Sequence, residues 1–210
     1  MLSDFEGPEI TRIRKKRDVT EYIVSKQEWN AFKTITRSCK GNSRNIGLDL
    51  LTLAENDHIV SLNLSTQGMK RLPSAIRYLS HLKRLLLIDN ELTTLPSEIT
   101  TLNRLQVLYL DRNPLGTIPQ EILNLTQLQQ LSLGETHLND IPKEINNLSQ
   151  LDHLWLNDNT LSSLPHTLGN LVGLQRLDLR GNQGLKSFAR NWTGKILIAF
   201  LRNIRLGITL

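Results

Sequence analysis

From Ile59 onward the apolar residues return every 23 positions, and successive units open at Ile59, Leu82, Leu105, Leu128, Leu151 and Leu174. No residue is inserted or deleted across the first five. One unit places Leu82, Leu85, Leu87, Asn90, Leu92, Leu95, Pro96, Ile99 and Leu102 in the pattern LxxLxLxxNxLxxLPxxIxxLxx. Two periods sit inside it. Alternation, as in Leu108-Tyr109-Leu110, puts the leucines on one face and predicts a short strand. In the second half Ile118, Ile122 and Leu125 fall at helical spacing on one side, which predicts a turn of helix or 3₁₀ structure. Neither half can bury its leucines alone, so the units must stack, with strands edge to edge in a parallel sheet around a shared interior. The expected class is α/β: a solenoid with a curved parallel sheet on its concave face, short helices or 3₁₀ turns on its convex face, and helical caps at both ends.

Within the unit, Pro73, Pro96, Pro119, Pro142 and Pro165 recur at one place, expected to be the first helical position, where a fixed φ and a missing N–H are tolerated. Asn90, Asn113, Asn159 and Asn182 recur after the strand, where an amide can satisfy backbone groups left as the chain exits the sheet. Gln67 and Thr136 stand at that place in the first and fourth units and predict looser turns there. The sixth unit gains a residue in Asn182-Gln183-Gly184-Leu185 and lacks the Leu-Pro pair, so the regular array ends there.

A solenoid needs caps, because its end coils would otherwise expose the interior. Ser25-Lys26-Gln27-Glu28 has the capping-box pattern, and Trp29, Phe32 and Ile35 follow at helical spacing, predicting a helix from about 26 to 38. Ile46, Leu50 and Leu53 suggest a degenerate repeat. Ile196, Leu197, Phe200, Leu201 and Ile204 form the apolar stripe of an expected C-terminal lid helix. The organisation predicted is a basic tail over 1–24, a helical cap and degenerate repeat over 25–58, repeats over 59–190, and a capping helix over 191–210.

At 210 residues and 39% hydrophobic content, the chain has the composition of one globular domain. The net charge of +5 divides into +3 over residues 1–50, −3 over 51–185 and +5 over 186–210. The basic excess therefore lies outside the repeats, and nucleic-acid binding is not expected despite a pI near 9.5. Arg12, Arg14, Lys15, Lys16 and Arg17 are read as a solvated tail. One cysteine, Cys39, allows no internal disulfide and points to a reducing compartment. The start lacks the basic and apolar segments of a signal peptide, and Ile196 to Leu201, flanked by Lys195 and Arg202, is too short to span a bilayer. A cytoplasmic monomer without a membrane span is the expectation.

Catalytic constellations are weak. His137 and His153 come from adjacent units but bring no Cys or carboxylate cluster at metal spacing, and are read as surface histidines. Cys39 ends an apolar helix without a base nearby in sequence, which reads as a structural thiol. Gly194-Lys195 lacks the upstream glycine of a phosphate loop. The Asn-x-Ser/Thr triplets at Asn63, Asn124, Asn147 and Asn191 are read as unglycosylated. No catalytic group, metal or cofactor is predicted.

Because packing dictates the leucines, any ligand must be read by the outward strand positions and the loop after them. Between the paired leucines stand Asn63, Leu86, Tyr109, Ser132, Trp155 and Asp178; before them stand Ser61, Arg84, Val107, Gln130, His153 and Arg176. After them come Ser65, Ile88, Asp111, Gly134, Asn157 and Arg180, then Thr66, Asp89, Arg112, Glu135, Asp158 and Gly181. Solvent-facing positions have no packing reason to hold Leu86, Ile88, Val107, Tyr109 or Trp155. Aromatics ringed by Arg and Asp have the makeup of protein-binding hot spots. The predicted partner site is Arg84, Leu86, Ile88, Asp89, Val107, Tyr109, Asp111, Arg112, His153, Trp155, Asn157, Asp158, Arg176, Asp178 and Arg180. Six strands about 4.8 Å apart offer on the order of 400 Å², against roughly 800 Å² per partner in a standard interface. The neighbouring loop with Glu91, Pro114 and His137, or a cap, would have to contribute.

Leu95-Pro96-Ser97-Glu98-Ile99 and Ile118-Pro119-Gln120-Glu121-Ile122 resemble the LPxxI form of the leucine-rich repeat, found in Ras-group intracellular proteins and many bacterial proteins; the resemblance covers residues 46–190. It implies a protein-interaction scaffold. Some bacterial proteins of this type are secreted effectors, and some of those carry a ubiquitin-ligase domain with a Cys-x-Asp nucleophile, which Cys39-Lys40-Gly41 does not match. The resemblance leaves two alternatives to an adaptor. One is an effector of an intracellular pathogen such as Legionella, exported without a signal peptide by a tail like Arg205 to Leu210 and binding a host protein. The other is the recognition part of a larger enzyme such as a ubiquitin ligase.

Overall fold

Each period of 23 becomes one coil of a solenoid in a computed structural model that describes residues 10–14, 21–39, 51–53, 58–185 and 207–209. The chain begins with strands β1 (Ile10–Arg14) and β2 (Glu21–Ser25) and helix α1 (Lys26–Arg37). It continues through β3 (Leu51–Leu53), β4 (Ile59–Asn63), β5 (Arg84–Leu86), β6 (Val107–Tyr109), β7 (Gln130–Ser132), β8 (His153–Trp155), β9 (Arg176–Asp178) and β10 (Gly207–Thr209). Strands β3 to β10 lie side by side in sequence order in one sheet. From β4 to β10 the pairing is parallel, and Leu62, Leu85, Leu108, Leu131, Leu154 and Leu177 stand in register, one unit per strand. The leucines inside the coil, such as Leu85, Leu87, Leu108, Leu110, Leu131 and Leu133, are fully buried and belong to one hydrophobic core that runs from Val24 to Leu185. Burial of this kind is worth about 1.5–3 kcal/mol per leucine and is the main force closing the coil.

The convex side is made of 3₁₀ turns at Ser74–Tyr78, Ser97–Thr101, Ile122–Asn124, Lys143–Asn147 and His166–Asn170. The recurring prolines do not occupy the first helical position. Pro73, Pro96, Pro142 and Pro165 are N-caps with φ between −63° and −71° and extended ψ of 141° to 147°. The reason is the tight turn itself: each proline carbonyl, Pro119 included, accepts the N–H three residues on, from Ile76, Ile99, Ile122, Ile145 and Leu168. Proline supplies the φ and loses no needed donor.

Asparagine joins one coil to the next. The Asn113 amide donates to the Leu87 carbonyl at 2.9 Å and the Leu110 carbonyl at 2.8 Å, and its Oδ1 accepts from the Leu92 N–H at 3.0 Å. Asn90, Asn159 and Asn182 make the equivalent donations across their own boundaries. In the fourth unit the Thr136 hydroxyl reaches the Leu133 carbonyl at 2.7 Å, but cannot span to the preceding coil as an amide does. The two units without asparagine also turn differently. There Gly68 and His137 take φ of 60° and 63°, a left-handed step added to the one that Thr66, Asp89, Arg112, Glu135 and Asp158 make one position before the asparagine place.

At the N-terminal end the expected helix is present. Ser25 is its N-cap, with the hydroxyl accepting from the Glu28 N–H at 3.2 Å, and Ala31, Phe32 and Ile35 are buried. Three expectations about the ends need correction. Arg12 and Arg14, read as part of a basic tail, lie in β1, which pairs antiparallel with β2 through Ile10↔Ser25 and Arg14↔Glu21. Leu53, read as part of a degenerate repeat, lies in β3, which runs antiparallel to β4 and so ends the parallel array. Gly207–Thr209, placed in a C-terminal helix, is a strand parallel to β9. In each case strand pairing replaces the expected conformation: β1 and β2 pair with each other, β3 adds to the edge of β4, and β10 adds to the edge of β9. The rest of the lid stripe, Ile196 to Ile204, lies outside the described residues. No helix among the described residues is long and apolar enough to cross a membrane.

Candidate interaction face

The parallel register sets the outward residues in columns, with Leu86 beside Tyr109, Tyr109 beside Ser132, Ser132 beside Trp155 and Trp155 beside Asp178. Ser132 is small enough for its two neighbours to meet over it. Its side chain is covered, and the Tyr109 and Trp155 rings meet edge to face with centroids 5.7 Å apart. His153 stacks on the other side of this group at 5.3 Å from Trp155, and the Arg176 guanidinium sits 5.9 Å from the Trp155 ring centre. Such contacts between rings and cations add about 0.5–1.5 kcal/mol each beyond area burial. The result is a preset cluster from β6, β8 and β9 in which Tyr109, His153 and Trp155 stay half-exposed and Arg176 is exposed.

Hydrogen bonds hold these rings in place. The Tyr109 hydroxyl donates to Gln130 Oε1 at 2.7 Å, and burial pushes the phenol above its usual pKa, with Asp111 and Asp152 adding to the shift against Arg84. His153 Nδ1 lies 2.6 Å from Asp152 Oδ1. Asp111 accepts from the Ser132 hydroxyl at 2.5 Å and the Gly134 N–H at 3.1 Å. A Cβ at Gly134 would stand 2.9 Å from both Asp111 Oδ1 and Asn157 Oδ1, so a larger residue there would displace these side-chain ends. Along the loop column Arg112 donates to Glu135 Oε1 at 2.9 Å, and the Asn157 amide to Asp158 Oδ2 at 2.8 Å.

The structure thus brings Tyr109, His153, Trp155 and Arg176 together, with Leu86 and Ile88 half-exposed and Arg84, Asp89, Arg112, Asp158 and Arg180 exposed around them. Two predicted members do not face solvent. Val107 is only 6% exposed because it stands in register between the longer Arg84 and Gln130. Asp178 is 2% exposed and held by Arg180, whose Nε and Nη2 both donate to its carboxylate. Burial alone would push that carboxyl up, but the Arg180 hydrogen bonds and the charges of Arg180 and Arg176 bring it below the usual range. His137, considered beside His153 as a pair, is an exposed loop residue, whereas His153 belongs to the aromatic cluster. Cys39 is buried, its thiol pushed up by burial.

The likenesses to known proteins agree with this architecture. A family model described as leucine-rich repeat matches residues 126–183, and a second of the same description matches residues 104–125. No curated protein sequence matches the chain. Among solved structures, a leucine-rich repeat protein of Leptospira interrogans is 30% identical over 72% of this chain with a TM-score of 0.62; this chain spans 38% of it. The leucine-rich repeat ectodomain of a receptor kinase from Arabidopsis thaliana is 23% identical, with a TM-score of 0.62, over 76% of this chain and 95% of the ectodomain. An internalin from Listeria monocytogenes is 22% identical, with a TM-score of 0.55, over 72% of this chain and 48% of its own. The coil of strand, asparagine turn and 3₁₀ return is a leucine-rich repeat solenoid, and its central units are leucine-rich repeats by sequence as well.

Proposed function

We propose that the protein binds another protein on the concave strand face, centred on Tyr109 and Trp155. The observation that carries this reading is the cluster of half-exposed Tyr109, His153 and Trp155 with exposed Arg176. Interface energy concentrates in Trp, Tyr and Arg side chains that are already ordered, because little rotamer entropy is then lost on binding. Leu86 and Ile88 extend the patch along the sheet, and the exposed loop charges of Asp89, Arg112, Glu135 and Asp158 supply a polar rim. The strand strip falls short of a standard interface, so the partner also covers this loop edge. The protein acts as a cytoplasmic monomer in this reading, consistent with a single cysteine that is buried.

The test is capture of a partner from lysate by wild type, Tyr109→Ala, Trp155→Ala and a convex-side control, Val172→Ser. Each aromatic truncation is expected to cost about 2 kcal/mol or more, roughly thirtyfold in Kd, with circular dichroism unchanged. Val172, 72% exposed, is expected to be neutral. Undiminished capture by both aromatic variants overturns the concave site.

A further inference from the structure

Where α1 meets the first coil, a carboxylate and two imidazoles converge from three separate parts of the chain. Glu28, in the first turn of α1, has a side chain only 5% exposed. Its Oε2 accepts from the Ser25 hydroxyl at 3.2 Å and lies 3.2 Å from His58 Nδ1. Its Oε1 lies 3.8 Å from His81 Nδ1 and makes no hydrogen bond. Among the described residues it is the one buried side-chain oxygen or nitrogen in that condition. The two imidazoles stack with centroids 3.5 Å apart and planes 10° from parallel, and the three donor atoms lie within 4.8 Å of one another.

Protons alone serve this arrangement poorly. A buried carboxylate oxygen without a partner is costly. Protonating both rings would set two cations face to face. A divalent cation would neutralise the carboxylate, give Oε1 its missing partner and accept both Nδ1 lone pairs.

We propose that Glu28, His58 and His81 form a binding site for a zinc-class divalent transition metal that fastens α1 to the first coil. Two imidazoles and one carboxylate are a borderline donor set, suited to Zn²⁺ or Co²⁺ and unlike the all-oxygen shells of Ca²⁺ and Mg²⁺. Bonds of about 2.0–2.1 Å in a tetrahedron set donors roughly 3.3 Å apart, close to the 3.2 Å between Glu28 and His58. Binding requires His81 to close in from 3.8 Å and the rings to tilt out of their stack. Side chains 36% and 29% exposed have room to do so. A water completes the fourth position. The site lies away from the concave face and stands independently of the proposed function.

The tag-free full chain, stripped with a chelator, is titrated with Zn²⁺ against a chromophoric competitor and with Co²⁺ by visible absorption. One metal per chain, intense tetrahedral Co²⁺ bands and a Tm raised by Zn²⁺ are expected. His58→Ala and His81→Ala should each weaken binding by more than the roughly 10–100-fold that losing a supporting contact costs at such sites. Glu28→Gln keeps the shape of the helix cap and should also weaken binding. His137→Ala, His153→Ala and His166→Ala, the remaining histidines, should leave it unchanged. Circular dichroism confirms that each variant folds. Wild-type affinity no greater than that of the His58→Ala/His81→Ala double variant, octahedral Co²⁺ bands alone, or an equal response to Ca²⁺ overturns the assignment.

Discussion

Asn113 is fully buried, and every polar atom of its side chain is used across a coil boundary. Asn113→Ala would leave the Leu110 carbonyl and the Leu92 N–H without these partners, and at about 1–3 kcal/mol for each orphaned group should cost about 2–6 kcal/mol in denaturant unfolding. Asn113→Asp, the same size but without the donor, should be destabilised comparably; a neutral result would mean that the amide only fills space. A second residue-scale effect concerns pH. Asp178 has its pKa lowered in the folded state, chiefly through Arg180, so its stabilisation is present above the ordinary carboxylate value and is lost as pH falls through the lowered one. Asp178→Asn is therefore expected to be less stable than wild type at neutral pH and to show a flatter loss below about pH 4. Parallel acid limbs for the two proteins would refute this. The columns that hold these residues were legible in the sequence, because a fixed period dictates which side chains share a row. That Val107 and Asp178 are covered was not legible, since it depends on how far Arg84, Gln130 and Arg180 reach from neighbouring rows.

At the scale of elements, short strands and 3₁₀ turns have little stability of their own and exist because neighbouring coils supply the other half of their contacts. Helix α1 is different: it carries its own start signal, with Ser25 and Glu28 in reciprocal contact. Ser25→Ala should cost about 1 kcal/mol by thermal or denaturant melting, and Ser25→Thr should restore most of it. A Ser25→Ala protein as stable as wild type would mean that packing alone holds the helix. These local signals explain why the sequence predicts α1 almost to the residue. The hairpin of β1 and β2 was hidden by its charge, since five cations between Arg12 and Arg17 read as a solvated segment. The meeting of Glu28 with His58 and His81 was equally hidden. No spacing rule links a helix residue to two loop residues brought beside it by the first coil.

Over the whole described array, contacts run chiefly between neighbouring coils, so stability passes from coil to coil. Deleting residues 128–150, one full period, should therefore leave a folded and shorter solenoid, read as a single melt at lower Tm, with Asn159 then facing the coil that now faces Thr136. Removing one residue fewer shifts every later leucine out of line and should abolish cooperative unfolding. If both deletions behave alike, the shared register is not what holds the chain together.

The absence of insertions across five units also has a genealogical meaning. Unequal crossing-over between any two of them leaves a chain that still stacks, so the length of the array can change by whole coils in a single event. Rows such as Leu86, Tyr109, Ser132 and Trp155 can in this way be shuffled like type in a frame, and a new recognition surface can arise by rearrangement before any single residue is refined.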